Sequence, residues 1–317
     1  MKDIPITGKG RMTIDERLLV VVCGPTASGK TGVSIELAKA LKTEILSADS
    51  RQFYEDMKIG TAFPTEEELA EVPHHFIGHL LVTDNYNVSK YEKDALDRLD
   101  VLFNTYPVLI LTGGSGLYIH AVCHGIDVLP DPEPQLREDL KALLENEGIS
   151  ALQNKLLELD PIYYGTVDLN NAARLIRALE VCITTGLPYS SLRSQKPRRR
   201  PFKILKIGLE IPRAELNKRI DERVDRMLAA GWLDEARDLY KFRDCNALNT
   251  LGYKEIFVHF AEKMRYSETV EKIKTNTRRY AKRQMTWFRK DKEINWFSPD
   301  DLSGMMAIIE ENVNREA

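Results

Sequence analysis

The sequence predicts an α/β fold, with a parallel sheet core that is interrupted by a helical insertion. Short apolar runs alternate with helical patterns along most of the chain, as in sheets whose parallel strands are joined by crossover helices. A glycine-rich string stands between the first apolar run and the first helical pattern. In the middle of the chain, a long stretch contains helical patterns and no convincing strand.

The predicted strands are short apolar runs. Those nearest the amino terminus are hardly broken by polar residues, which is typical of strands buried on both faces of a parallel sheet. The five runs are Leu18–Val22, Glu44–Leu46 continuing into Ser47, Val108–Leu111, Phe202–Ile211 and Ile294–Phe297.

The middle of the chain is predicted to be a helical insertion between two strands of the core. Its helical patterns cover Gln135–Asn146, Ile149–Glu158 and Ala172–Thr184, and Gly186-Leu187-Pro188 ends the last of them. We therefore expect residues 1–126 and 197–317 to form the core and residues 127–196 to form the insertion.

Composition limits the class of protein. The chain has 317 residues, of which 43% are hydrophobic and 29% charged, which is ordinary for a soluble protein of about two domain-sized units. A net charge of −3 argues against nucleic acid binding over the whole surface. The four cysteines stand far apart, so neither a zinc site nor a disulfide framework is expected. The sequence shows no signal peptide pattern and no membrane-spanning apolar run, so we expect a cytoplasmic protein without membrane contact.

A phosphate-binding loop is the clearest chemical signal. Gly24-Pro25-Thr26-Ala27-Ser28-Gly29-Lys30-Thr31 has the pattern G-x-x-x-x-G-K-[ST], between a predicted strand and the helical pattern Val33–Leu41. The glycines let the backbone wrap a diphosphate, towards which the amides at the helix start point. Lys30 adds a cation, and Thr31 offers a hydroxyl to Mg²⁺. The sequence therefore predicts a P-loop NTPase-like core with a diphosphate site over residues 24–31.

The acid that most P-loop NTPases use to hold Mg²⁺ is missing from its usual place. The strand Val108–Leu111 runs into Thr112-Gly113-Gly114-Ser115-Gly116, which argues against a standard ATPase or GTPase. An acid, Asp49, instead follows the second strand. Because ligands bind at the carboxyl ends of parallel strands, Asp49 is expected to face the phosphate site. The alternative is that Asp49 caps a helix starting near Arg51.

Basic residues cluster in three places. The predicted helix Leu216–Leu228 carries Arg219 and Arg223 on one face, with Arg226 three residues further on. Arginines of this face could bind a diphosphate or an RNA backbone, or pair with Glu215 and Glu222. Residues 193–206 and 271–292 are rich in Lys and Arg, and aromatic residues are interleaved in the second segment. They indicate a docked polyanion, or else a solvated linker and an ordinary amphipathic helix. The first segment carries Arg193, Lys196, Arg198, Arg199, Arg200, Lys203 and Lys206.

Taken together and in this order, the motifs resemble those of the bacterial tRNA dimethylallyltransferases, also known as tRNA isopentenyltransferases or IPP transferases. The resemblance covers about Leu18 to Phe297. Its more specific parts are the Asp49-Ser50-Arg51-Gln52 string, the Gly113-Gly114-Ser115-Gly116-Leu117-Tyr118 string and the string from Arg283 to Phe288. Two departures stand out: Arg51 replaces a usually apolar residue, and Asp168-Leu169-Asn170-Asn171 replaces the His-Pro-Asn-Asp that precedes Arg174 in many members.

The resemblance implies a prenyl transfer. In this family the dimethylallyl group of dimethylallyl diphosphate moves to N6 of adenosine 37, beside the anticodon of tRNA, and Mg²⁺ assists as diphosphate leaves. By position, Asp49 resembles the general base, Ser115 a hydroxyl near the reacting centre, and Arg223 a residue that grips the diphosphate. Thr31 resembles the metal-binding hydroxyl. The alternatives are a P-loop small-molecule kinase, an adenylate dimethylallyltransferase that acts on free AMP, ADP or ATP, and a non-catalytic, nucleotide-gated RNA-binding protein.

The resemblance also implies contacts with tRNA. The insertion is expected to contact the anticodon stem-loop, and the chain is expected to act as a monomer. The residues that match tRNA-binding positions are Asp49, Ser50, Arg51, Gln52, Ser115, Arg137, Ala173, Arg174, Leu175, Ile176, Arg177, Arg283 and Gln284.

Overall fold

Two compact units make up the computed structural model, which describes residue 13 and residues 16–131, 133–193 and 197–314. Gly125–Arg198 forms one unit, the insertion, and the chain on either side of it forms the other, the core. The expected insertion, residues 127–196, lies within two residues of these limits at each end. Lys196 and Pro132 lie outside the described residues.

The core is built around a parallel sheet. Within the described residues the sheet has six strands in the order β3-β2-β4-β1-β5-β6. They are β1 Leu18–Cys23, β2 Ile45–Ser47, β3 His74–His75, β4 Val108–Gly113, β5 Lys203–Leu209 and β6 Ile294–Phe297. The α/β class and the five predicted strands are confirmed. The strand β3 was not predicted, because two consecutive histidines show neither an apolar run nor an alternation.

The described residues also form fourteen α-helices. In chain order they are α1 Lys30–Leu41, α2 Glu66–Glu71, α3 Val88–Leu102, α4 Gly116–His124, α5 Pro134–Glu147, α6 Ile149–Leu159, α7 Pro161–Tyr164, α8 Ala172–Thr185, α9 Tyr189–Leu192, α10 Arg213–Ala229, α11 Trp232–Leu239, α12 Tyr253–Phe260, α13 Tyr266–Phe288 and α14 Leu302–Asn314.

Strand β1 is the centre of the core. It pairs in parallel with β4 on one side and β5 on the other, and all six of its residues are buried. Leu19 and Val21 pack into an apolar cluster with α3, α11 and α12, whereas Val20 and Val22 pack on the opposite sheet face with α1 and α14. This alternation follows the period of two residues in a strand. Because the strands are parallel, the loops that follow β1, β2 and β4 meet at one edge of the sheet.

The insertion has its own apolar core. Its helices α5 to α9 enclose a cluster of buried side chains that includes Leu140, Leu152 and Leu179. Helix α8 begins where the side chain of Asn171 accepts a hydrogen bond from the amide of Arg174, and it ends at Gly186 with φ 69°. The three long helices predicted here are confirmed, whereas the short helices α7 and α9 were not predicted.

Candidate active site

The P-loop, residues 24–31, connects β1 to α1. Gly29 has φ 92°, a left-handed conformation that glycine adopts without strain, and α1 begins at the next residue. Nζ of Lys30 donates a hydrogen bond of 2.7 Å to the carbonyl oxygen of Pro25, so the ammonium folds back over the loop. Desolvation lowers the pKa of Lys30 to about 8; the charge of Asp49 opposes this shift and that of Arg223 adds to it. An anion bound in the loop would raise the pKa of Lys30 again, because it would stabilise the ammonium.

A cavity of about 450 Å³ opens beside the P-loop. It brings together three strand-end loops of the sheet and parts of α10 and α13, as expected for a ligand site in an α/β fold. The predicted site residues that line it are Thr26, Lys30, Thr31, Asp49, Ser50, Arg51, Gln52, Arg223, Arg283 and Gln284.

Asp49 lies in this cavity at the end of β2. Oδ1 of Asp49 accepts a hydrogen bond of 3.0 Å from the amide of Arg51. Residues 50–53 form turns rather than a helix, so the alternative that Asp49 caps a helix is wrong. Among the described residues, we observe no hydrogen bond to the second carboxylate oxygen of Asp49, which is therefore available to a ligand.

Ser115 joins the loop after β4 to the loop after β2. Oγ of Ser115 accepts a hydrogen bond of 3.1 Å from the amide of Ser50 and lies 3.2 Å from the hydroxyl of Ser50. Next to it, a Cβ on Gly113 would lie 2.6 Å from the backbone of Ala48, so only glycine fits between the two strand ends. Ser115 thus helps to hold the Asp49 turn against β4.

Arg223 is the member of the arginine face that enters the cavity. Its Nη2 lies 3.5 Å from the carbonyl oxygen of Thr61, and burial lowers its pKa while the charge of Asp49 opposes the decrease. Arg219, one turn earlier on α10, pairs with Glu215 at the surface. The ion pair predicted for this helix is therefore observed for Arg219, whereas Arg223 faces the cavity, where its contact with a diphosphate stays a prediction.

Helix α13 contributes the wall of the cavity. Its second half presents Tyr280, Arg283 and Gln284 to the cavity. Desolvation raises the pKa of Tyr280 to about 12, and the negative charge of Asp49 acts in the same direction. Tyr280 was not predicted as a site residue, although its place among the interleaved aromatic residues of the basic segment was the signal for it.

Three of the predicted tRNA-binding residues are engaged within the protein. The side chains of Leu175 and Ile176 are buried in the core of the insertion, because they lie on the apolar face of α8, so the prediction that they contact RNA is corrected. Ala173 and Arg174, on the opposite face, are exposed. Nη1 of Arg51 donates hydrogen bonds of 3.0 Å to the carbonyl oxygens of Asn246 and Ala247, so this guanidinium fixes a neighbouring segment of the core.

Two other predicted tRNA ligands neutralise a buried carboxylate. Nε and Nη2 of Arg137 bind the two carboxylate oxygens of Glu180 at 2.5 and 2.9 Å, and Glu180 is fully buried. Nη1 of Arg177 lies 3.5 Å from Oε2 of the same residue. Arg137 and Arg177 therefore have a structural role, because a buried carboxylate without a partner would lower the stability of the fold. The side chain of Arg137 is 44% exposed, so it can also face a ligand.

The first basic segment is partly structural as well. Nη2 of Arg200 binds Oε1 of Glu92 at 2.7 Å, and both side chains are more than 90% buried. The ammonium of Lys206, on β5, lies within 2.9 Å of His124, Asp291 and Glu293. These two cations are therefore not available to a polyanion, contrary to the simplest interpretation of the segment.

The residues at the P-loop end of the cavity suit a magnesium ion. The hydroxyl of Thr31 and the carboxylate of Asp49 are oxygen donors, which Mg²⁺ prefers, and both line the same cavity. A second group of possible metal ligands, His124, Asp291 and Glu293, surrounds Lys206 instead. There the ammonium binds all three residues and occupies the place that a metal ion would need.

Fold and site together define a P-loop protein whose cavity combines the P-loop with the carboxylate of Asp49 and the half-buried guanidinium of Arg223. Residues 52–291 match the family model described as IPP transferase. The chain belongs to the IPP transferase family.

Similar proteins have consistent names. The chain is 50% identical to the tRNA dimethylallyltransferase of Christiangramia forsetii, over 93% of this chain and 98% of that protein. It is 46% identical to tRNA dimethylallyltransferase 2 of Parabacteroides distasonis, over 93% of this chain and 99% of that protein.

Solved structures agree with the assignment. The tRNA isopentenylpyrophosphate transferase of Bacillus halodurans aligns with a TM-score of 0.70 at 34% identity, over 95% of this chain and 97% of that one. A eukaryotic dimethylallyltransferase acting on tRNA aligns with a TM-score of 0.77 at 25% identity, over 95% of this chain and 80% of that one. In the part of the chain that the structure describes, no helix has both the length and the apolar character to span a membrane.

Proposed function

We propose that this chain is a tRNA dimethylallyltransferase, which moves the dimethylallyl group of dimethylallyl diphosphate to N6 of adenosine 37, next to the anticodon. The observation that carries the proposal is the cavity in which the P-loop, Asp49 and Arg223 meet. Relatives that match nearly the whole chain have the corresponding name. We further propose that the enzyme works as a monomer in the cytoplasm.

The proposed chemistry accounts for the groups in the cavity. The bond between C1 of the dimethylallyl group and the diphosphate oxygen breaks, and its electron pair leaves with the diphosphate. The amides of the P-loop, Lys30 and Arg223 stabilise that negative charge. A bond forms between C1 and N6, and the proton of N6 passes to the free carboxylate oxygen of Asp49. Because no nucleophile attacks phosphorus, the reaction does not require the strand-end acid that is missing after β4.

We propose that the hydroxyl of Thr31 and the diphosphate oxygens hold Mg²⁺, which supplies further charge neutralisation when it is bound. For tRNA, we propose contacts by exposed cations in each unit, Arg174 in the insertion and Arg283 in the core. Such contacts supply a salt-dependent, backbone-directed part of the affinity.

A labelling experiment tests the proposal. Labelled dimethylallyl diphosphate is incubated with the protein and, in separate reactions, with an anticodon stem-loop, intact tRNA or AMP, and a parallel reaction follows hydrolysis of labelled ATP. We expect label in the tRNA and the stem-loop, with nucleoside mass analysis locating it on adenosine 37. Label in AMP alone would indicate an adenylate dimethylallyltransferase, and consumption of ATP would indicate a kinase. Binding of tRNA without any turnover would indicate a non-catalytic protein.

A further inference from the structure

The side chain of Gln284 connects two loops of the active site. Its Oε1 accepts a hydrogen bond of 2.8 Å from the amide of Thr26 in the P-loop. Its Nε2 donates a hydrogen bond of 2.8 Å to the carbonyl oxygen of Gly114, in the turn after β4. Gln284 is only 6% exposed. Both polar atoms of this amide therefore have partners within the protein, whereas the contact of Gln284 with tRNA stays a prediction.

The fit around this side chain is tight. A Cβ on Gly114 would lie 2.4 Å from Nε2 of Gln284, so the glycine leaves the space that the amide occupies. Three residues further along α13, the indole of Trp287 lies against Gly116, where a Cβ would come within 2.3 Å of the ring. The glycine-rich turn is thus shaped to receive two side chains of α13.

The bond to Thr26 decides which amides can hold a diphosphate. The amide of Thr26 is already bound to Gln284, and the amide of Ser28 donates to the carbonyl oxygen of Pro25. Among the described residues we observe no partner for the first amides of α1, which therefore remain for the ligand, and the first half of the loop is held in place by α13. Ser115 follows Gly114 directly, so the same side chain also holds the turn that carries Ser115 towards Ser50 and Asp49.

We propose that Gln284 is a positioning residue for the transfer reaction. It fixes the distance between the P-loop, which holds the diphosphate, and the Gly114–Ser115 turn beside Asp49, and so sets the separation between the donor and the general base. This inference rests on the proposed function. It predicts a loss of donor affinity and of rate, because both depend on this separation, and no loss of tRNA affinity, because the polar atoms of Gln284 are bonded within the protein and its side chain is only 6% exposed.

The test uses Gln284→Met, which keeps the length of the side chain and removes both hydrogen bonds. Calorimetric titration with inorganic diphosphate should give a dissociation constant about ten-fold higher than that of the unaltered protein. The transfer kcat should fall by about the same factor or more, whereas the dissociation constant of an anticodon stem-loop should stay within about two-fold.

Asn276→Leu is the matched control. Asn276 lies on the same helix, about two turns before Gln284, and its side-chain amide donates a hydrogen bond of 2.7 Å to Glu255 of α12. This variant should lower the melting temperature and leave the diphosphate dissociation constant unchanged. A shift in diphosphate affinity equal to that of Gln284→Met would show that any loosening of α13 has the same effect, and would overturn the inference.

A second variant covers the case in which Gln284→Met does not fold. Gln284→Glu keeps an acceptor for the amide of Thr26, but places an oxygen against the carbonyl of Gly114, so the same loss of diphosphate affinity is expected. A folded variant with unaltered diphosphate affinity and kcat would overturn the inference, as would a loss of tRNA affinity alone. Because the diphosphate titration needs no transfer, it tests Gln284 even if the transfer to tRNA itself is not observed.

Discussion

The hydroxyl of Tyr253 donates a hydrogen bond of 2.6 Å to Oε1 of Glu235. The same carboxylate accepts the amides of Ile59 at 2.7 Å and Gly60 at 2.9 Å. Burial together with the charge of Glu235 raises the pKa of Tyr253, which keeps the phenol protonated as a donor. Helices α11 and α12 thereby hold residues 59–62, whose carbonyl oxygens accept hydrogen bonds from Arg223 and Gln52 in the cavity.

Glu235→Gln should destabilise the core. The amide offers one acceptor oxygen where the carboxylate offers two, and its NH2 group would face an N–H or O–H donor. A donor left unsatisfied in this way costs about 1–3 kcal/mol, which urea unfolding measures. Asp238→Asn, on the exposed side of the same helix, is the control and should unfold with an unaltered midpoint. Coinciding unfolding curves for Glu235→Gln and the unaltered protein would show that the carboxylate does not support the loop.

Asp49→Asn should keep the fold and both substrates but lose most of the rate. The amide is nearly isosteric with the carboxylate but does not accept the proton of N6, and loss of a general base typically costs about 10²–10⁴-fold. Single-turnover transfer measures the rate, and filter binding measures tRNA affinity. Asp56→Asn, at an exposed position after the same turn, is the control. Near-normal turnover in Asp49→Asn would remove Asp49 from the role of base.

Arg223→Ala should weaken binding of dimethylallyl diphosphate more than binding of tRNA. A lost charge-assisted hydrogen bond is worth about 1.5–3 kcal/mol, or about 10- to 150-fold in the dissociation constant. Arg226→Ala removes an exposed arginine of the same helix and should leave donor affinity unaltered. If tRNA affinity fell in Arg223→Ala while donor affinity stayed constant, Arg223 would belong to the RNA-binding surface.

Diphosphate binding should depend on pH through Lys30. The pKa of this lysine is lowered to about 8 in the ligand-free protein, and a bound diphosphate would raise it by stabilising the ammonium. Affinity is therefore greatest below pH 8 and decreases as the pH rises above it, and binding near pH 8 takes up protons. Calorimetry in two buffers of different ionisation enthalpy measures this uptake. Lys30→Met provides the comparison, because it retains only the titration of the diphosphate itself.

Arg200 and Arg199 should behave differently although they are neighbours. Arg200→Ala leaves Glu92 as a buried carboxylate without its guanidinium, and breaking such a pair costs about 3–5 kcal/mol in unfolding free energy. Arg199 is exposed, so Arg199→Ala should leave stability nearly unaltered. If Arg199 contacts a phosphate of tRNA, the slope of log K against log salt decreases by about 0.7–0.9 in that variant. Equal stability of the two variants would contradict the structural role of Arg200.

Local patterns were sufficient to predict the framework of the site. The P-loop, the position of Asp49 after β2 and the glycine turn after β4 follow from short strings and from apolar runs, which depend on neighbours in sequence. The parallel strands then bring these loops to one edge of the sheet, so their meeting in one cavity could also be predicted. The five strands with apolar runs were predicted for the same reason.

The roles of individual polar side chains were decided by the tertiary structure. Gln284 lies 258 residues from its partner Thr26, and Arg200 lies 108 residues from Glu92. The residues next to Gln284 and Arg200 in sequence do not reveal these distant partners. In sequence, a basic segment that contains a buried ion pair therefore looks the same as a solvated one. Leu175 and Ile176 likewise became core residues only when α8 packed on its neighbours. The sequence by itself determined the loops that carry the chemistry, whereas only the packing of distant segments decided which polar groups are buried and bonded and which remain free for a ligand, because desolvation depends on what lies opposite in space.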